Sequence, residues 1–300
     1  MKIRNHIILP AICCALALTL GACGEEKKED VKAETKAEDV LNFSEDGKSI
    51  TGVKDKSIKS VVIQKGVTSI GAGAFLGCSN LTSIMIPDSV TSIGGCAFIG
   101  CSNLTSITIP DSVTSIGYGA FSFCSNLTSI TIPDSVTSIG DRAFWGCSSL
   151  TSITIPDSVT GIGKDAFNGV KKVTYSPAFE PLPNGILINK KHKALVHAPE
   201  NLSGGYTIPT GVTSIGAYAF SGCTSLTSIT IPDSVTSIGN GAFSDCSNLT
   251  SITIPDSVTS IGDRAFEDCS NLTSITIPKH FTDANVKWWD LPSGCKIIRR

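Results

Sequence analysis

The chain has 300 residues, of which 17% are charged and 6% aromatic, with 28 glycines; this is a sparse supply of catalytic side chains for an enzyme of this size. Lys+Arg 24 against Asp+Glu 26 leaves a net charge of −2, and without a basic cluster that balance argues against a nucleic-acid partner. Four His and two Met, with no His/Cys cluster, offer little for a catalytic metal site.

Lys2 and Arg4 form a positive start, and residues 7–20 (IILPAICCALALTL) form an apolar run. That run is too short for a comfortable membrane-spanning helix and reads as the core of a signal peptide over 1–22. It ends in Leu20-Gly21-Ala22-Cys23, which resembles the lipobox of bacterial lipoproteins. The resemblance implies cleavage before Cys23, lipid on its thiol and acylation of the new N-terminus; two or more acyl chains hold a protein on a membrane. Residues 24–40 (GEEKKEDVKAETKAEDV) are almost devoid of apolar side chains, so a flexible charged tether is expected over 23–52. By resemblance to Gram-negative lipoproteins, Gly24 after the cysteine favours the outer membrane. Glu25 and Glu26 resemble surface-export signals of some Bacteroidota lipoproteins.

From residue 53 the phrase CSNLTSITIPDSVTSIGxxAFxx recurs every 23 residues. Cys78, Cys101, Cys124 and Cys147 mark four copies, and Cys223, Cys246 and Cys269 mark three more. Residues 55–77 fit the same frame, and a partial copy ends at Ile277-Pro278. Within one copy, Ile107-Thr108-Ile109 alternates as a half-buried strand does. Pro110 and Asp111 stop that strand. Val113 and Ile116 begin a second extended piece, ended by Gly117. Ala120 and Phe121 are expected on a short helical or turn segment that returns the chain. A single coil cannot bury its apolar side, so the array is stable only when stacked. The period and the L-x-x-I-x-I-P-x-x-V-x-x-I pattern lie in the leucine-rich-repeat range. With the AF-x-x-C ending, the motif resembles the BspA-like leucine-rich repeat over residues 53–278. The resemblance implies a β-rich α/β solenoid of 23-residue coils, with parallel strands stacked along the axis, and adhesion to host matrix proteins, other cells or mucosal surfaces.

The frame slips after Val170. Residues 185–188 and 194–197 flank Asn189–Lys193, a pattern for a β-hairpin with a polar tip. The variant unit at 171–206 reads as part of the solenoid, with a small inserted binding module as the alternative. Residues 279–300, with Trp288, Trp289 and Leu291, read as a C-terminal cap over an otherwise open strand edge.

The cysteine column is expected to hold reduced, buried thiols, because stacked side chains point the same way and a disulfide needs a dihedral near 90°. Zinc needs converging ligands, which a linear stack does not supply. Cys96 stands in a slot held elsewhere by Gly73, Gly119 and Arg142, which predicts a more exposed thiol; its pairing with Cys295 is left open. The aspartates led by Asp88, Asp111 and Asp134 read as a solvated turn edge, with weak calcium binding as the alternative. Hydroxyl columns such as Ser106/Thr108 and Ser129/Thr131 resemble ice-binding arrays but read better as ordinary solvated strand residues. Uniformity even at solvent positions points to recent internal duplication.

What varies between copies flanks the AF pair. Tyr118, Arg142, Trp145, Tyr218 and Arg264 fall there, and aromatics and arginine are the types enriched in binding hot spots. These five form the candidate partner-binding edge; loop drift is the competing reading. No nucleophile elbow, P-loop or dinucleotide fingerprint is present in the sequence, so neither enzyme activity nor cofactor nor metal is expected. The expected partners are host or neighbouring-cell surface proteins or glycoproteins, reached by a monomer held on the membrane through its N-terminal lipid. A non-binding spacer of the envelope is the alternative, and a carbohydrate-processing accessory acting through the variant unit is a third reading.

Overall fold

The computed structural model describes residues 37–300. Cys23, the leader and the first part of the tether lie outside the described residues. The described part is a β-solenoid of about eleven turns with almost no helix.

Each coil contributes two short strands. The Ser-Ile pairs Ser69–Ile70, Ser92–Ile93, Ser115–Ile116, Ser138–Ile139 and Gly161–Ile162 stack in parallel, each serine opposite its equivalent until Gly161. The Ser-Ile-Thr pieces form a second column, as where Ser106–Thr108 pairs with Ser129–Thr131. In one representative coil Leu104, Ile107, Ile109, Val113, Ile116 and Phe121 are all buried. Burying each such side chain contributes roughly 1.5–3 kcal/mol. The phenylalanines form a ladder: Phe75, Phe98, Phe121 and Phe144 stack with centroids 5.1–5.4 Å apart and planes within 9° of parallel. Serine hydroxyls after the Pro-Asp turn stitch coils together, as where Ser135 Oγ donates to the Val113 carbonyl at 2.6 Å.

The α/β expectation is corrected by the return segment, which contains turns rather than helix. The backbone is left-handed on both sides of the Ala-Phe pair, for example at Gly119 (φ 55°) and Phe123 (φ 58°). Only a few right-handed residues remain between them, too few to nucleate a helix. Alternate N–H groups instead donate to the next coil: Gly119 to the Asp141 carbonyl, Phe121 to that of Ala143, and Phe123 to that of Trp145. The return segment is thus a third ladder along the axis.

The tether expectation over 23–52 is also too long. Leu41–Phe43 and Ser49–Val53 form an antiparallel hairpin, whose second strand pairs with Ser69–Ile70. Leu41 and Ile50 are buried in the first core, which gives this segment the apolar anchor that its charged residues conceal. At the other end, Trp289 is buried edge-on to Phe266 and closes the ring ladder, and Lys296–Arg299 covers the edge of Ser274–Ile277. Both lie in the segment expected to form the cap.

The variant unit divides the solenoid into two arms with separate cores. Phe179–Pro181, Leu187–Asn189 and Ala194–His197 form an antiparallel sheet, and the last of these strands starts the parallel Ser-Ile column of the second arm. This strand alternates between the cores: Ala194 and Val196 pack into the first, Leu195 into the second. The expected hairpin is present, but its polar tip is narrower than the sequence suggests. Asn189 is fully buried and its Nδ2 donates to the Asp157 and Val159 carbonyls at 2.8 and 2.9 Å.

Candidate functional site

The variable slots fall on one corner of each coil, at the two left-handed positions and their neighbours. Glycine adopts positive φ freely, whereas other residues are held there at a cost. One such slot is glycine in five coils, at 77, 100, 146, 169 and 222, but Phe123, Asp245 and Asp268 in three others. The other slot holds Cys96, Arg142, Asp165, Tyr218 and Arg264, all at positive φ. A side chain in either slot sits on a corner fixed by hydrogen bonds to the following coil.

In the first arm these corners bring three of the five expected residues together. The Arg142 guanidinium lies 5.0 Å from the centre of the Trp145 ring and donates to Tyr118 Oη at 3.4 Å. Arg142 Nε is 3.9 Å from Asp165. Trp145 is half-buried, with Phe123 tilted against it at 5.2 Å. Phe123 is 49% exposed and completes an aromatic strip across two coils. The sequence reading passed over it. The signal was available in the slot itself, because a phenylalanine where most coils carry glycine is displayed on a left-handed corner. Its ring covers Gly146, where a Cβ would stand 2.9 Å from it.

Tyr218 and Arg264 belong to the second arm and approach the strip at Tyr118. They share a cleft with Tyr118 and Asp141, which face them from the first arm. The Tyr218 ring lies over Gly241, 2.8 Å from where a Cβ would be. Arg264 pairs with Glu267 at 3.9 Å. Beside the cleft Ser221 Oγ of the second arm donates to the Asp141 carboxylate at 2.9 Å, which the Lys164 N–H also joins at 2.8 Å. Burial raises the pKa of Asp141, while these two donors oppose the shift. Burial likewise raises that of Tyr218, and the Asp141 charge adds to it.

The arms meet closely at Gly161, buried in the slot that serine fills at 69, 92, 115, 138, 214, 237 and 260. A Cβ at Gly161 would run into the Ala217 backbone. Beside it, His197 Nδ1 donates to the Ile162 carbonyl at 3.2 Å, and Lys191 pairs with Asp157 at 2.7 Å. Burial lowers the pKa of His197, with the Ile162 carbonyl and the Glu200 charge opposing that shift.

All nine described cysteines are free. Cys101, Cys124, Cys147, Cys246 and Cys269 donate to the phenylalanine carbonyl of the preceding coil, as from Cys124 Sγ to Phe98 at 3.2 Å and from Cys147 to Phe121 at 3.1 Å, whereas Cys223 donates to Pro199 at 3.5 Å. Burial pushes the Cys101, Cys147 and Cys269 thiols up to about 12, far from the range of a nucleophilic thiolate. Cys96 and Cys295 are half-buried. Among the described residues no cluster of His, Cys, Asp or Glu has the geometry to hold a metal ion. Of the aspartate column, Asp157 is paired with Lys191 and Asp256 lies 3.6 Å from Arg300.

Among known proteins, three solved leucine-rich repeat structures resemble the chain. A protein from Bacteroides ovatus ATCC 8483 is 27% identical, with 87% of this chain and 97% of that one covered, at a TM-score of 0.42. A leucine rich cell surface protein from Faecalibacterium prausnitzii A2-165 is 27% identical, with 86% and 92% covered, at 0.40. A third, from Eubacterium ventriosum ATCC 27560, is 29% identical, with 81% and 73% covered, at 0.43. No curated protein matches. The profile of the BspA type leucine rich repeat region matches residues 53–174 and 201–290, in 6 copies. That match takes in both arms and stops at the variant unit, and the chain belongs to the BspA-type leucine-rich repeat family.

Proposed function

We propose that the protein is a lipid-anchored scaffold of the bacterial cell surface that adheres to other macromolecules through the variable corners of its solenoid. The observation that carries this reading is the strip of Tyr118, Arg142, Trp145 and Phe123, where exposed aromatic surface surrounds a guanidinium. Identical hydroxyl columns offer no unique address, whereas this strip occurs once. Aromatic rings supply large contact area at low entropic cost, and arginine adds directed hydrogen bonds. The family membership supports a protein-interaction role. The host or neighbouring-cell partner, the outer-membrane location and the monomeric state belong to the proposal, as does the lipid on Cys23.

The deciding variant is Trp145→Ala, assayed by pull-down against matrix proteins and mucin together with thermal melting. Truncating an interface anchor costs about 2 kcal/mol of binding or more. A half-buried ring should cost less stability than the ~3 kcal/mol of a fully buried one. Lost stability with unchanged affinity per folded molecule would retire the strip as a binding site and favour the spacer reading. For the anchor, Cys23→Ala is expected to abolish fatty-acid labelling and membrane retention. A variant that is still labelled and still membrane-bound would overturn the lipoprotein reading.

A further inference from the structure

The cleft between the arms has a chemistry distinct from that of the aromatic strip. It encloses about 450 Å³. Its walls carry five carboxylates, Asp141, Asp245, Asp263, Glu267 and Asp268, against the single guanidinium of Arg264. The whole chain has a net charge of only −2, so this cleft concentrates more negative charge than the entire molecule. Glu267 is balanced by Arg264, and Asp141 is held by Ser221. Asp245, Asp263 and Asp268 are exposed and form no ion pair among the described residues. A concave site lined by one sign of charge focuses its field and raises the local concentration of the opposite charge.

The cleft is also aromatic. Tyr118, 46% exposed, enters from the first arm and Tyr218 from the second. A cation near a ring face gains from the ring quadrupole, more so when partly desolvated. Arg142 shows this chemistry within the molecule itself, with its guanidinium against Trp145 and bonded to Tyr118. The two walls are tied to each other, because the Asp141–Ser221 bond joins a residue of the cleft wall in the first arm to the second arm, 80 positions away.

From this charge and aromatic complementarity we infer that the cleft between the arms docks a basic segment of a partner protein. A lysine or arginine side chain enters between Tyr118 and Tyr218 and is met by Asp245, Asp263 and Asp268. The inference rests on the reading of the protein as a scaffold for protein partners and adds a second, separable surface to it.

The test uses the full chain and a fluorescein-labelled peptide alternating lysine and glycine, followed by anisotropy, with a glutamate-glycine peptide as counterpart. The lysine peptide should bind, increasingly weakly as salt rises, and the glutamate peptide should not. The combined variant Asp245→Asn, Asp263→Asn, Asp268→Asn should lose about tenfold or more in affinity, while Asp88→Asn, Asp111→Asn, Asp134→Asn, which removes the same charge from the solvated turn edge, should lose less than about twofold. Tyr218→Ala should weaken binding at unchanged peptide charge, and melting curves of each variant confirm folding. Equal losses in the two triple variants would reduce the effect to net charge and overturn the inference, as would no binding to the unaltered chain. If either occurs while Trp145-dependent capture persists, the cleft proposal falls and the strip stands.

Discussion

The cysteine slot shows how a single atom can serve two ends. A column thiol such as Cys124 is a small apolar group in the core and also donates to the Phe98 carbonyl, as a second donor beside the Cys101 N–H. Alanine at Cys124 would keep the shape, empty the sulfur's space and leave the Phe98 carbonyl with the Cys101 N–H as its donor. A loss of about 0.5–1.5 kcal/mol is expected for the bond, with the emptied sulfur volume adding to it, measured by urea unfolding. Alkylation mass spectrometry supplies the companion measurement: column thiols should label only after unfolding, and Cys96 and Cys295 should label first. At this scale the sequence was largely legible. Leu, Val, Phe and Cys recur at buried slots because each coil repeats the packing of the last, whereas Trp145 is half-buried in a slot whose serines, Ser122, Ser221 and Ser244, are buried. Phe123 was missed because the repeat phrase leaves its slot as an unspecified position and no signal within its own coil marks it as a left-handed corner.

Among elements, the return segment and the variant hairpin depart furthest from what the pattern suggests. A short helical or turn segment was the expectation for G-x-x-A-F, and the turn is what forms. The ladder to the next coil wins because left-handed corners at both ends aim the N–H groups along the axis. The hairpin could be predicted as a hairpin, but not as a partition between two cores, since that role depends on what lies on either side of it. Gly161 makes the same point. Restoring the serine found in the equivalent slot of other coils is a change that repeat averaging would recommend. Here Gly161→Ser is expected to destabilise, because the added Cβ meets the Ala217 backbone. Overpacking of this kind costs about 1–3 kcal/mol. Thermal melting would register the loss, and small-angle scattering would detect any opening of the arms. Unchanged stability would mean that the close contact yields without cost.

In the whole molecule, the arms are coupled through a junction that contains a titratable group. His197 donates to Ile162 and lies near Glu200, with its pKa lowered by burial. The unfolded chain therefore takes up the proton first as pH falls. Its contribution to stability is full above the ordinary histidine value of about 6.5 and is lost as pH falls below that toward the lower folded value. Asp141 has the opposite sense, since its raised pKa makes its ionised form the less favoured one in the fold; stability from that group is present at low pH and lost as pH rises through the folded value. Melting temperature against pH should therefore decline on mild acidification, and His197→Gln should flatten that limb. A slope unchanged in the variant would remove His197 from the junction's energetics. The set of the two arms was not legible in the sequence, because it depends on contacts such as Gly161 with Ala217 and Asp141 with Ser221, between residues that no local rule connects.

The uniform pitch of the coils carries a genetic consequence. Near-identical coding units invite unequal recombination, which adds or deletes whole coils while keeping the reading frame. A coil gained beyond Phe266 would lengthen the second arm and leave the junction as it is. A coil gained between Tyr118 and Asp141 would carry Tyr118 about 5 Å farther along the axis and out of reach of Tyr218. Length variants of the first kind should therefore be tolerated in a population, whereas those of the second kind would take the proposed cleft apart.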